Sequence, residues 1–325
     1  MTHGTTGSRG RQEVSAVETR LAPGRSLAVG VAAAIAFAAA LSMPLSAGAD
    51  TGPGDGKDKR KKAWVAPTLA AADSSDTFRV IVQGSAAGAA VDAVVQKHPG
   101  KATGAKKHFD SIPAVAVELS AEQIAELAEA DGVDAITVDL PVAVAASSKR
   151  SPTPQIWNAQ KWPFASGVAR FWRSTMTVPA IAIVDSGIDA ARSDFGGRVI
   201  HSVDLGPTTD SAGDGRGHGT FVASIAAGSA SGYAGAAPTA PLVSIDVVDD
   251  AGMAWTSDVI EAADWILANK SRFNIRVANF SLHSTAPASF MYDPLDRAVE
   301  RLWFAGVVVV TAAGNYAVDQ TKPAA

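Results

Sequence analysis

The most informative stretch of the chain is residues 214–223, which read DGRGHGTFVA. His218 stands between two glycines, where a glycine-rich loop meets a run of small residues that predicts a helix over 218–227. Glycine lets the backbone at such a junction approach a neighbouring segment closely. Because an imidazole titrates near neutral pH, a histidine can serve there as a general base. An isolated histidine is more often structural, but this setting favours a catalytic one.

Two other short segments follow predicted strands. Residues 180–184 are apolar and are followed by DSG, which begins at Asp185, and residues 307–311 are followed by AAGN, which ends at Asn315. An aspartate directly after a buried strand can hold a histidine in one tautomer. An asparagine after a strand can direct its amide at a developing oxyanion. Taken alone, each segment is explained better by an ordinary turn.

Strands and helices alternate over residues 156–325. Apolar strands separated by helices predict a parallel sheet with helices on both faces, which is an α/β fold. Active sites in such sheets lie at the carboxyl ends of the strands, where all three segments are expected. The predicted strands are 180–184, 242–248, 277–282 and 307–311, and the predicted helices are 218–227, 256–269 and 293–304.

In residues and in order, the three segments resemble the subtilisin-like serine peptidases, or subtilases, over roughly residues 155–325. The match consists of D-S-G, then H-G-T-x-V-A, then A-A-G-N. The second motif is fairly specific, and the other two gain weight from order and spacing. The resemblance implies that Asp185 orients the histidine, that His218 is the general base and acid, and that Asn315 supplies the oxyanion donor. It also implies endopeptidase activity on polypeptide substrates.

A further stretch, NFSLH at residues 279–283, resembles the family's N-M-S-L-G strand. In the family the backbone of this strand pairs with an extended substrate. His283 stands where the family has glycine, so we expect it to narrow or repolarise the first specificity pocket. The substrate-binding residues that the resemblance implies are Ser281, Leu282, His283, Ala313 and Gly314.

The family's nucleophile follows the asparagine in a G-T-S-x-A-x-P segment. No G-T-S occurs in this sequence, and no serine follows Ser289. Ser186, Ser281 and Ser284 lie in motifs with other roles. We therefore expect a catalytic domain over residues 156–325 that is truncated at its C-terminal side and is inactive as it stands.

Residues 77–142 read as strand, helix, strand, helix, strand, with a weaker strand near 106–112. This order predicts a small α+β domain with ferredoxin-like topology. By topology and position it resembles the family's inhibitor-like propeptide, which assists folding and occupies the active-site cleft. An unrelated α+β domain remains the alternative. So does a non-catalytic protein whose propeptide-like domain inhibits or chaperones a related peptidase.

The N-terminal region predicts export. Basic residues precede the apolar run 27–41, and Ala47-Gly48-Ala49 follows it, so residues 1–49 are interpreted as a signal peptide. The mature protein is then expected to be secreted, without stable membrane association. Residues 50–76 are expected to be a disordered linker, and residues 143–155 a linker between the two domains.

Composition limits the remaining functions. The absence of cysteine excludes disulfides, thiolate zinc sites and a thiol nucleophile. A net charge of −4 gives no indication of a nucleic-acid partner. No metal or other cofactor is predicted from spacing, although the resemblance leaves structural calcium open. The acidic loop residues weighed for calcium are Asp189, Asp194, Asp210 and Asp214, for which solvated carboxylates are the favoured interpretation.

Overall fold

The computed structural model describes residues 62–71, 76–98, 106–144, 161–172, 177–206, 213–285 and 289–314. All of them lie in one compact unit, Lys59–Ala325, and the other unit is Met1–Asp58. The predicted signal peptide and Asn315 lie outside the described residues. No helix in the described ranges combines the length and the apolar composition needed to cross a membrane.

The first part of the described chain is a five-stranded sheet with helices packed against it. Its strand order is β1-β5-β2-β4-β3, in which β2 is antiparallel to both β4 and β5. From β2 to β5 the elements run β-α-β-β-α-β, as a ferredoxin-like topology requires. The elements are β1 Trp64–Val65, α1 Pro67–Ala70, β2 Thr77–Gln83, α2 Ala87–Lys97, β3 Lys107–His108, β4 Ala114–Ser120, α3 Ala121–Ala128 and β5 Ala135–Val138.

Helix α3 shows how local sequence sets the boundaries in this domain. The Ser120 hydroxyl accepts a hydrogen bond from the Gln123 backbone N–H at 3.3 Å, and the Gln123 side-chain oxygen accepts one from the Ser120 N–H at 2.9 Å. These reciprocal bonds satisfy backbone donors that a helix start otherwise leaves unpaired. Ile124 and Leu127 then lie on the buried face, against the sheet.

Residues 62–71 correct the linker that was predicted over 50–76. Here the chain forms β1, which pairs in parallel with β5 through Trp64 and Ala135, and α1, whose Leu69 is buried in the core. The polar composition before Lys62 concealed a short apolar segment, which reads AWVAPTLA from Ala63. The domain therefore begins before residue 77, because this segment is part of its sheet and its core.

The second part of the described chain is built on a five-stranded parallel sheet, with order β15-β13-β7-β11-β8. On one face, Ile183 belongs to an apolar cluster with Ala223 of α5. On the other face, Val184 belongs to a cluster with Ile260 of α6 and Leu302 of α7. The predicted α/β architecture is therefore confirmed. The main elements are β7 Ala180–Asp185, β8 Val199–Asp204, α5 His218–Ala227, β11 Leu242–Asp246, α6 Thr256–Asn269, β13 Ile275–Phe280, α7 Pro294–Phe304 and β15 Val308–Thr311.

The smaller elements connect these two parts or lie at the edges of the second. A three-stranded sheet has the order β12-β6-β14, and a two-stranded ribbon joins β9 and β10. The elements are β6 Pro141–Val144, α4 Trp162–Ala165, a 3₁₀ turn at Val168–Phe171, β9 Ser229–Ala230, β10 Tyr233–Ala234, β12 Met253–Trp255 and β14 Leu282–Ser284.

Strand β15 departs from its predicted environment. Its apolar sequence predicted a buried strand, but Val308 and Val310 are 51% and 46% exposed. Among the described residues β15 pairs only with β13 and forms an edge of the sheet. Burial on both faces depends on what covers a strand, and a run of valines does not carry that information.

Candidate active site

Asp185 and His218 meet at the carboxyl edge of the parallel sheet. Asp185 is the last residue of the central strand β7 and is fully buried, and His218 is the first residue of α5. The His218 Nδ1 atom lies 2.6 Å from the Asp185 Oδ1 atom. An ionised carboxylate only accepts hydrogen bonds, so Nδ1 carries the proton and donates it. Nε2 is then the ring nitrogen that can accept a proton.

Close packing of the backbone allows Asp185 and His218 to come into contact. A Cβ atom at Gly219 would lie 2.1 Å from the Gly187 carbonyl oxygen and 3.1 Å from the Asp185 Cβ. Gly187 has φ of +87°, and a Cβ there would lie 1.9 Å from the Gly213 carbonyl oxygen. The glycines of the DSG and HGT motifs therefore allow the loop after β7 to lie against the start of α5.

The carboxylate of Asp185 is held by its own chain as well as by the histidine. Its Oδ1 atom also accepts a hydrogen bond from the Ser186 backbone N–H at 2.8 Å. Its Oδ2 atom is buried and has no hydrogen-bond partner among the described residues. A fixed, buried carboxylate of this kind can hold an imidazole in one tautomer and stabilise the imidazolium that forms when Nε2 takes a proton.

The end of β15 lies on the same edge of the sheet. The Ala312 N–H donates to the Phe280 carbonyl oxygen at 3.2 Å, so the chain leaving β15 stays beside the end of β13. Gly314 follows with φ of +91°, a conformation that favours glycine. Ala313 and Gly314 thus lead to Asn315, which itself lies outside the described part of the chain.

The predicted substrate strand is β14, and it is already paired. Leu282, His283 and Ser284 pair antiparallel with Val144, Ala143 and Val142 of β6. Strand β12 lies on the other side of β6, where the Val144 N–H donates to the Gly252 carbonyl oxygen at 3.3 Å. The chain that leaves the first sheet therefore lies as an extended strand between β12 and β14.

Side chains of β6 alternate between the interior and the surface. Val142 and Val144 are buried in one cluster with Ala254 and Leu282. Because successive side chains of a strand point to opposite faces, Ala143, which lies between them, is on the outward side. The linker predicted from residue 143 thus begins too early. The alternation Pro-Val-Ala-Val, which is separated from the end of β5 by two residues, was the signal in the sequence that could have identified this strand.

His283 lies at the centre of β14, opposite Ala143. Residues directly opposite in a sheet share a face, so its side chain lies on the outward side of β14 together with Ala143. Its Nδ1 atom is 3.1 Å from the Ser284 carbonyl oxygen. Its neighbour Leu282 faces the buried side. Ser281, just before the strand, accepts a hydrogen bond from the Asn279 side-chain amide at 2.8 Å.

A polar contact that the sequence did not reveal joins the end of the first sheet to helix α6. Asp139, which is 1% exposed, accepts hydrogen bonds from the Ser257 N–H at 2.9 Å and the Ser257 hydroxyl at 2.8 Å. Arg79 donates to the same carboxylate at 3.0 Å. Ser257 lies in the first turn of α6, where a carboxylate is favoured by the helix dipole. Asp139 therefore fixes the first sheet to the start of this helix.

Lys107 makes a second contact with the same helix. Its Nζ atom lies 2.9 Å from Asp258 Oδ1 and 2.5 Å from Glu261 Oε2. Burial by itself would lower the pKa of Lys107, but the hydrogen bonds and charges of these two carboxylates outweigh it and raise the pKa above its ordinary value.

The acidic loop residues weighed for calcium do not come together in the described chain. Asp194 pairs with Arg192 at 3.0 Å, and the Asp189 carboxylate accepts a bond from the nearby Ala191 N–H. Asp210 lies outside the described residues. Within the described ranges no group of three or more histidine, cysteine or acidic side chains is placed to hold a metal ion.

Comparisons with known proteins identify related sequences and structures. Residues 177–325 match the Subtilase family. Alkaline serine exoprotease A of Vibrio alginolyticus is 32% identical over 219 residues, 65% of this chain and 39% of that protein. Thermitase of Thermoactinomyces vulgaris is 32% identical over 176 residues, 52% of this chain and 56% of that protein. The chain thus spans about two fifths to a little over half of the length of these relatives.

Among solved structures, fervidolysin from Fervidobacterium pennivorans, a keratinolytic enzyme related to subtilisin, superposes with a TM-score of 0.58. The identity is 20%, and the match covers 81% of this chain and 43% of that one. At this identity the likeness shows the fold alone. The structural match covers more of this chain than residues 177–325, which match the family.

Proposed function

Because residues 177–325 match the Subtilase family, we propose that the chain contributes the Asp–His half of a serine endopeptidase site, with Asp185 as the orienting carboxylate and His218 as the base. The observation that carries the proposal is the 2.6 Å contact between His218 Nδ1 and the buried Asp185 Oδ1. This contact lies at the carboxyl edge of a parallel sheet, where α/β enzymes place their sites.

In the proposed reaction, His218 Nε2 removes the proton from a serine hydroxyl as that oxygen attacks the peptide carbonyl carbon. Asp185 holds Nδ1 and stabilises the positive charge that develops on the imidazole. Asn315 directs its side-chain amide at the oxyanion of the tetrahedral intermediate. The imidazolium then returns its proton to the leaving amine, and water releases the acyl group by the same steps in reverse order.

The serine of this reaction is not among the residues after Asn315, since no serine follows Ser289 in these 325 residues. We therefore propose that the 325-residue polypeptide by itself does not hydrolyse peptides. Purified protein and a chromogenic peptide should give no turnover above that of the His218→Ala variant. Turnover that depends on His218 would contradict this part of the proposal.

A chimera tests the proposed site itself. Residues 316–325 are replaced by the C-terminal part of thermitase, a relative that is 32% identical over the aligned residues. The chimera should cleave a chromogenic peptide, and Asp185→Asn and His218→Ala should each abolish cleavage. A chimera that folds, as shown by circular dichroism, but remains inactive would refute the assignment.

The first domain is proposed to act as the propeptide. What supports this is β6, which fills the position of an extended substrate between β12 and β14 through main-chain pairing on both sides. Residues 1–49 are proposed as the signal peptide, so polypeptides met outside the cell are the proposed substrates. Removal of the first domain should raise the turnover of the chimera, because β14 becomes free to pair with substrate.

A second candidate function is inhibition of a related peptidase by this first domain. The same pairing of β6 with β14 favours it, since a free first domain could offer β6 to another subtilase. Residues 62–144 expressed alone, with folding verified by circular dichroism, should then inhibit thermitase at stoichiometric concentration. Absence of inhibition by the folded domain would eliminate this candidate.

A further inference from the structure

Asp214 lies four residues before His218 and connects the two motifs of the site. Its Oδ1 atom accepts hydrogen bonds from the Gly217 N–H at 2.6 Å and from the Ser186 hydroxyl at 2.9 Å. Its Oδ2 atom accepts one from the Thr220 N–H at 2.7 Å. A single carboxylate thus contacts the loop before α5, the first turn of α5 and the residue that follows Asp185.

Ser186 is the bridge between the two carboxylates. It is 2% exposed, and its hydroxyl oxygen lies 2.9 Å from Asp214 Oδ1 and 3.3 Å from Asp185 Oδ1. The same oxygen accepts a hydrogen bond from the Gly219 N–H at 3.1 Å. A serine hydroxyl has only one proton to donate, so the two carboxylates compete for it.

The distances decide this competition. The proton goes to Asp214, which is nearer by 0.4 Å, the difference between 3.3 and 2.9 Å. Asp185 Oδ1 then accepts only from the Ser186 backbone N–H and from His218 Nδ1. If Asp214 were a weaker acceptor, the hydroxyl would turn to Asp185 and compete with the imidazole for the same oxygen.

From this arrangement we infer that Asp214 is a positioning residue of the site, which draws the Ser186 hydroxyl away from Asp185 Oδ1 and so reserves that oxygen for His218. The inference rests on the proposed function, since it assumes that the Asp185–His218 pair is the working part of the site. It assigns Asp214 a role beyond capping α5, because a cap alone would not affect the partner of the imidazole.

The test reads the Nδ1 proton of His218 by nuclear magnetic resonance in the full 325-residue chain. A proton in a short N–H···O bond to a carboxylate resonates at low field and exchanges slowly with water. Loss of the signal in His218→Gln assigns it. Asp214→Asn keeps the size of the side chain but replaces the carboxylate with a weaker, neutral acceptor. Exchange of the Nδ1 proton should then become about tenfold faster or more, as expected when a hydrogen bond to a charged group is weakened.

A double substitution separates this mechanism from a simple structural effect. Removing the competing hydroxyl in Asp214→Asn/Ser186→Ala should restore the slow exchange. Asp293→Asn is the matched control, because Asp293 also caps a helix, through the Leu295 N–H at 2.8 Å, but lies in another element. It should leave the signal unchanged. Asp214→Ala is a second variant with the same expected direction and a larger effect.

The outcomes are distinct. Unchanged exchange in both Asp214 variants, or faster exchange that Ser186→Ala fails to reverse, overturns the inference while leaving the proposed function intact. A low-field signal that persists in Asp185→Asn shows that the Asp185–His218 pair is absent, which overturns the inference and the proposed function together. If Asp214→Ala fails to fold, Asp214→Asn and its double variant decide the question.

Discussion

Replacing Asp139 with alanine should destabilise the protein strongly, although the residue lies far from Asp185 and His218 in sequence. The carboxylate is buried and accepts hydrogen bonds from the Ser257 N–H and hydroxyl, both of which are buried as well. Asp139→Ala leaves these two donors without their partner in a site that water does not reach. A buried donor without a partner retains the cost of losing its hydration.

The expected size follows from the contacts. Hydrogen bonds to a charged group contribute about 1.5–3 kcal/mol each, and two are lost at Ser257. The cost of burying the carboxylate disappears with it and offsets part of that loss. Because the Arg79 side chain is 45% exposed, its ion pair adds only about 0–1 kcal/mol. The free energy of unfolding should therefore fall by about 2–4 kcal/mol.

Urea unfolding followed by tryptophan fluorescence measures this change. Asp134→Ala is the control, since Asp134 is an exposed aspartate of the same domain and should change stability by less than about 0.5 kcal/mol. A cycle with Ser257→Ala should give a coupling of about 1 kcal/mol, because the hydroxyl bond is present only when both residues are. A loss below about 1 kcal/mol in Asp139→Ala, or zero coupling, would refute the reasoning.

Three further predictions, the first with a control substitution, test other parts of the structure. Gly219→Ala places a Cβ 2.1 Å from the Gly187 carbonyl oxygen, so it should cost about 1–3 kcal/mol and remove the low-field His218 signal. Gly88→Ala is its control, because Gly88 is the second residue of α2 and a Cβ there would meet only the His108 side chain, at 3.4 Å and beyond. This substitution should stabilise the protein by up to about 0.5–1 kcal/mol in urea unfolding. Leu127 of α3 is fully buried, so Leu127→Ala should lower the free energy of unfolding by about 2–5 kcal/mol. A loss below about 1 kcal/mol would contradict that packing. Burial raises the pKa of Asp293 in the folded protein. The stability that its carboxyl contributes is therefore complete below the pKa of the unfolded state and is lost as pH rises through the pKa of the folded state. Asp293→Asn should therefore gain stability relative to the unaltered chain as pH rises from 3 to 7, and a constant difference would contradict this assignment.

Much of the site was predictable because its motifs carry their own geometry. DSG and HGT contain the glycines that a close approach of the two backbones requires. DSG follows a strand and HGT begins a helix, and the sequence pattern predicts both elements. Asp185 and His218 were therefore identified as a pair before any distance was known. The capping residues of α3 were predictable for the same reason, since both partners lie within one turn.

Other features depend on contacts between segments far apart in the chain. The sequence by itself determined the family motifs, the alternation of strands and helices and the candidates Asp185 and His218. Only the tertiary structure decided that β6 lies between β12 and β14, that Asp139 binds Ser257, that Ser186 bridges to Asp214, and that Val308 and Val310 are half exposed. The periodicity of a local segment indicates which side of a helix or strand is apolar. Hydrogen-bond partners and covering layers depend instead on how elements that are distant in sequence pack together.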